Sequence, residues 1–164
     1  MRRMLNLLDS YREVSPGVFQ CHEWGVALST DIVKSLVDAA RINPRYRARL
    51  CLHPGPEDIE QQMLIVMVEG AIDAPHMHSN KREAILPYLG TAEYQMFSQD
   101  GAVQKRIPLG AQDVIYVSSP LNVFHRIVLK DPVFAFWEFA QGPFTSDSTV
   151  HAPWPDPLVN PLIK

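Results

Sequence analysis

The sequence predicts an all-β fold: a single sandwich or barrel with an N-terminal extension carrying one α-helix. Three observations lead there. Only residues 31–42 repeat their apolar side chains at convincing helical spacing. From Pro44 onward, short strand-like runs follow at about ten-residue spacing, with turn residues between them and no helix for a parallel crossover. The 164 residues suit one domain, and the 14 prolines punctuate short segments instead of forming one linker.

Residues 17–22 read as a short strand. In the helix, Ile32, Val33, Leu36, Val37 and Ala40 make one apolar stripe. Ser29 or Thr30 can cap its start, Asp31 sits where the dipole favours a negative charge, and Pro44 lies just beyond its end. Residues 46–52 form the next short strand, and 62–68 read as an apolar run suited to a buried strand. Further strands are expected at 72–77, 83–89, 92–97, 103–108, 113–117, 123–129 and 133–139. Gly70, Ser79-Asn80, Gly90-Thr91, Gln99-Asp100-Gly101, Gly110, Ser118-Ser119-Pro120 and Lys130-Asp131-Pro132 mark the turns. The expected organisation is an extension over 1–60 packing on a barrel over 61–142. A proline-rich tail over 143–164 then runs extended over the surface, anchored by Trp154.

Composition narrows the function classes. Fifteen basic against eighteen acidic residues give a net charge of −3, so no strong basic field recruits nucleic acid or an anionic membrane. No apolar run reaches the roughly 20 residues of a membrane span. The first nine residues lack the continuous apolar core and small-residue cleavage site of a signal peptide, so a cytoplasmic location is expected. Cys21 and Cys51 are too few for a disulfide framework and read as small buried hydrophobes.

The chemistry concentrates in residues 70–90, which run Gly70, five residues, His76-Met77-His78, four residues, Glu83, six residues, Gly90. On a strand, residues two apart share a face, so both imidazoles point the same way. The intervening loop lets Glu83 bring a carboxylate to the same point. His125, in a distant strand-like run, is the natural fourth ligand. Three imidazoles and one carboxylate suit Fe(II), Mn, Ni, Zn or Cu(II).

This spacing resembles the first motif of the cupin superfamily. The second cupin motif, Gly-x5-Pro-x-Gly-x2-His-x3-Asn, is matched loosely by residues 110–125. Pro120 and His125 keep their spacing, and Asn122 replaces the turn glycine. The turn is about two residues longer, and Leu129 stands where the asparagine is expected. A narrower similarity, over about residues 14–157, is to WbuC-like cupin-fold metalloproteins. It rests on Pro44–His53, Gln62–Ile65, Glu138–Phe144 and Ala152–Trp154. These resemblances imply a jelly-roll-like β-barrel holding one divalent transition metal (Fe, Zn, Ni or Mn) on His76, His78, Glu83 and His125. They also imply a bacterial context that includes O-antigen and surface-polysaccharide formation.

The remaining polar residues carry two readings each. His53 is an acid/base or substrate contact at the barrel mouth, or a loop histidine with a structural bond. Arg45, Arg47 and Arg49 alternate, so they clamp a phosphate or carboxylate, or they protect a solvated strand edge. Glu138, among Phe134, Phe136, Trp137 and Phe139, is a general base with a raised pKa or the partner of an arginine. Tyr88 and Tyr116 line a pocket or belong to core or surface. His22-Glu23-Trp24 reads as a surface loop, and His151 has no assigned role. Within this set Glu138 is the candidate catalytic residue, and His53, Arg47 and Tyr88 are the candidate substrate contacts. The expected ligand is a small molecule such as a carbohydrate. The expected function is metal-dependent isomerase- or epimerase-like chemistry on a sugar or sugar acid. The alternatives are a non-haem Fe(II) dioxygenase and a non-catalytic metal- or sugar-binding module. A homodimer is the expected assembly.

Overall fold

The computed structural model describes residues 11–21, 26–110, 112–156 and 158. The start of the chain, the His22-Glu23-Trp24 cluster, and Pro157 and Pro161 lie outside the described residues. Among those described, no helix is long and apolar enough to cross a membrane.

The helix, α1 (Thr30–Ile42), buries Ile32, Val33, Leu36 and Ala40. Its solvent face carries the pairs Asp31–Lys34 and Asp38–Arg41. Ser29 occupies the cap position, but among the described residues neither it nor Thr30 makes the expected side-chain cap; the Ser29 backbone carbonyl accepts from Ile32 N. Asn43 closes the other end, its N–H reaching the carbonyls of Ala39 and Ala40.

Among the described residues, twelve strands make two facing sheets. The strands are β1 (Arg12–Ser15), β2 (Val18–Gln20), β3 (Arg47–Cys51), β4 (Glu60–Val68), β5 (His76–Met77) and β6 (Glu83–Leu89). They continue with β7 (Thr91–Phe97), β8 (Val103–Gly110), β9 (Val117–Ser119), β10 (Phe124–Leu129), β11 (Val133–Gln141) and β12 (Val150–His151). The first sheet runs β1-β2-β3-β4-β11-β6-β9 and the second β12-β5-β10-β7-β8. Only β2 with β3 pairs in parallel among these strands.

Strand parity divides the apolar residues into two cores. On β4, Met63, Ile65 and Met67 point into the barrel, against Phe134, Phe136, Tyr94 and Ile127. Leu64, Val66 and Val68 point the other way, under α1. Both faces of β4 are therefore buried, which explains its unbroken apolar sequence. The same parity holds on β3: Ala48 and Leu50 meet the helix, while Arg49 and Cys51 line the interior side.

Two strand expectations are corrected. Residues 72–77 are extended only at His76–Met77, because the Asp73 carboxylate leaves the local ladder to accept the distant Ile127 N–H at 2.8 Å. Residues 113–117 make a single bridge at Val114, and the strand starts at Val117, where pairing with β6 becomes available. Glycine is required at two motif positions. A Cβ at Gly90 would lie 2.0 Å from the Val133 carbonyl, and one at Gly70 would press on the Tyr46 ring at 3.1 Å. Both have positive φ.

The tail returns to the barrel. Beyond the 3₁₀ turn Ser146–Ser148, β12 pairs with β5. Trp154 then packs edge-on against Phe124 at 4.6 Å, and Asp156 pairs with the buried Arg126 at 2.7 Å.

Candidate metal centre and its cavity

Two strands and the residues just after one of them bring the histidines together. His76 sits on β5, directly opposite His125 on β10, and His78 follows β5 by one residue. The turn into β10 passes through Asn122 in the left-handed region, φ 58°, so asparagine serves where cupins carry glycine. Asn122 also donates its N–H to the His78 carbonyl at 2.9 Å, tying the two ligand segments together.

The nitrogens of His76, His78 and His125 lie within 4.8 Å of one another, and His78 and His125 are buried. Each ring is oriented through Nδ1, which lies 2.9 Å from a backbone carbonyl: Ala74 for His76, Ser148 for His78 and Val123 for His125. A carbonyl oxygen only accepts, so each Nδ1 is the donor. In the neutral ring, Nε2 then carries the lone pair. Behind His125, the Tyr94 ring stacks at 5.4 Å, and the Tyr94 hydroxyl bonds Ser119, which in turn reaches His125.

Glu83 begins β6 on the same point. Its Oε1 is 3.0 Å from His78 Nε2 and 2.6 Å from Lys81 Nζ, and its Oε2 is 3.6 Å from His125 Nε2. Burial pushes the Glu83 carboxyl up, but the imidazoles of His125 and His78 and the Lys81 charge outweigh it and hold the group far below its usual range. His125 moves up from its ordinary value: burial opposes its charge, and the Glu83 bond more than offsets that. His76 moves down, chiefly through burial. Buried His78 Nε2 has no hydrogen-bond partner, although a carboxylate oxygen faces it. With Nδ1 donating, a neutral His78 ring turns its Nε2 lone pair on this carboxylate; a proton on Nε2, or a cation in its place, resolves the contact, and the donor set fits a divalent metal.

A cavity of about 230 Å³ lies on the first sheet's inner face, with Arg49, Cys51, His53, Gln61, Lys81 and Glu138 among its walls. The three clustered histidines and Glu83 are not in its wall, and Lys81, which bonds Glu83, is the link between the two. Strand register sets the place of Glu138: Ala140 pairs with Glu83 and Glu138 with Ile85, so Glu138 lies diagonally across from Glu83. Burial, followed by the Glu83 charge, raises the Glu138 carboxyl to about 7 against the opposing Lys81, Arg47 and Arg49. His53 is buried, with Nδ1 3.0 Å from the Gln62 N–H and 3.1 Å from its carbonyl. Burial lowers its pKa.

Other candidates lie elsewhere. Arg47 is absent from the cavity wall and pairs with Asp73 at 3.4 Å, whereas Arg49 reaches it. Arg45 precedes β3 and is exposed. The arginines do not protect an edge, because β3 lies between β2 and β4. Tyr88 is 43% exposed and outside the wall: five residues from Glu83 on one strand, it faces the opposite side. Tyr116 is exposed too. Sequence reasoning missed Lys81, Ser119, Tyr94 and the Ser148 carbonyl. Only Lys81, two residues before Glu83, left a local trace.

Comparison with known proteins supports the fold. Residues 28–109 match the family described as Domain of unknown function (DUF6016). No curated protein matches. Among solved structures, a capsular polysaccharide assembling protein, CapF, from Staphylococcus aureus aligns with TM-score 0.56 at 16% identity. That alignment covers 67% of this chain and 32% of CapF. The pro-11S globulin of pumpkin aligns with TM-score 0.54 at 18% identity, over 67% of this chain and 29% of the globulin. The chain thus spans about a third or less of the length of these structures. At such identities the likeness concerns the fold, an all-β cupin barrel with one helix. With half of its residues matched, from just before α1 to the end of β8, the chain belongs to the DUF6016 family.

Proposed function

We propose that this chain is a metal-dependent enzyme of WbuC-like character. It acts on a small sugar or sugar-derived acid in bacterial surface-polysaccharide formation, with isomerase- or epimerase-like chemistry. The observation that carries the reading is the pairing of two features through Lys81: a cluster of oriented imidazoles facing Glu83, and a cavity walled by Lys81 and Glu138. His76, His78, His125 and Glu83 would hold the metal. When bound, a divalent metal supplies Lewis acidity to a substrate carbonyl or hydroxyl oxygen. Glu138 supplies the proton acceptor: a carboxyl raised to about 7 is poised to take and return a proton near neutral pH. The polysaccharide context draws support from the motif resemblance and from the fold shared with CapF.

Elemental analysis of protein purified without chelator tests the metal, and deuterium exchange followed by NMR tests the chemistry. Near one metal per chain is expected, with solvent deuterium entering a sugar or sugar acid at a carbon beside its carbonyl. Protein that stays metal-free after remetallation would sink the reading.

We also propose a homodimer. Phe139 is 40% exposed on the outer face of β11, beside the half-buried Trp137 and Leu86. Light scattering at micromolar concentration should give twice the 18.6 kDa chain mass, and a monomer would refute it.

A further inference from the structure

The cavity holds two cations in different states. Lys81 is neutralised by Glu83 at 2.6 Å. Arg49 is half-buried at the wall, and its guanidinium makes neither a hydrogen bond nor an ion pair with any described residue. Its neighbour on the same strand face, Arg47, has Asp73. The Arg49 charge acts on Glu138 along the same wall, but no carboxylate of a described residue bonds it. A partly desolvated guanidinium with unused donors is unfavourable, and its planar fork matches a carboxylate. Strand parity turns Arg49 to the cavity, because Ala48 and Leu50 meet the helix on the other face.

We infer that the cavity beside Glu83 is an organic-acid site in which Arg49 anchors the carboxylate of a small polyhydroxy acid. This deepens the reading above by naming the substrate class and rests on it. His53 lies along the same cavity. Its Nδ1 is engaged by the Gln62 backbone, which leaves Nε2 for a ligand hydroxyl. The size fits. About 230 Å³ is below the roughly 300–1,000 Å³ of sites for drug-sized ligands, so a free acid enters and a nucleotide-linked sugar does not. The charge fits as well. One unneutralised cation, with Glu138 on the same wall, matches a monoanion better than a phosphate dianion.

Isothermal titration calorimetry with D-glucuronate, D-gluconate, D-glucose and inorganic phosphate tests the assignment on wild type, Arg49→Gln and Arg49→Lys. Metal content is measured on each sample. At least one of the two acids should bind at least about tenfold tighter than glucose and phosphate. Arg49→Gln should lose at least about tenfold of that affinity, and Arg49→Lys, which keeps the charge without the fork, should lose less. Glucose binding as tightly as the acids, phosphate binding more tightly, or neither acid binding would overturn the inference. So would a folded Arg49→Gln with unchanged affinity. If that variant does not fold, the wild-type ligand series still decides. Acid binding by protein that takes up no metal leaves this site standing while the metal reading falls. Metal uptake without acid binding does the reverse.

Discussion

Replacing His125 by alanine is expected to strip the protein of its metal, with affinity falling at least about 100-fold. Even residues that only orient a metal ligand usually cost 10–100-fold when changed. His125 contributes more than orientation. It is buried, its Nδ1 is committed to the Val123 carbonyl, and its Nε2 stands 3.6 Å from Glu83. Loss of the ring leaves His76 and His78 on or beside β5 and Glu83 on the other sheet, three donors of the original four. His151→Ala is the control. It sits in the same register row, opposite His76, but is exposed and lies outside the three-histidine cluster, so it should keep its metal. Competition with a chromogenic chelator measures both. Metal retained in His125→Ala would show that the second, loosely matched motif contributes no ligand.

The second large effect is one of stability. Glu138→Gln is expected to stabilise the metal-free protein by about 3 kcal/mol near pH 8.5 and to leave it nearly unchanged near pH 4. The folded protein raises this carboxyl from 4.5 to about 7, so it holds the proton more tightly than the unfolded chain does. The stability linked to that proton is complete below pH 4.5 and is lost as pH rises through about 7. At about 1.4 kcal/mol per pH unit, the interval corresponds to about 3 kcal/mol. His53 acts in the opposite sense: its lowered pKa removes stability as pH falls below 6.5. The difference between variant and wild type isolates Glu138 from it. Urea titrations with chelator present, at the two pH values, measure that difference. A Glu138→Gln variant no more stable than wild type at pH 8.5 would mean that the ionised carboxylate finds compensation in the cavity.

Much of the fold was legible because it is written at short range. The apolar stripe of α1 needs only a 3.6-residue period, and an unbroken apolar run such as β4 needs only two buried faces. The His76–His78–Glu83 spacing is likewise local. Where expectation failed, a distant partner decided. Residues 72–77 look extended, yet Asp73 is drawn to β10. Residues 113–117 look like a strand, yet the partner strand begins opposite Val117.

The sequence by itself determined a barrel-forming run of strands, one amphipathic helix, and three imidazoles and a carboxylate at a spacing able to meet, because period and spacing survive without neighbours. Tertiary structure alone decided which of three alternating arginines reaches the cavity and that Tyr88 faces away. It also decided that Ser148, seventy residues from His78, orients that ring. These depend on register and on which strand lies beside which. A one-residue slip along β3 or β6 would exchange the cavity face for the opposite one with almost no change in local preference.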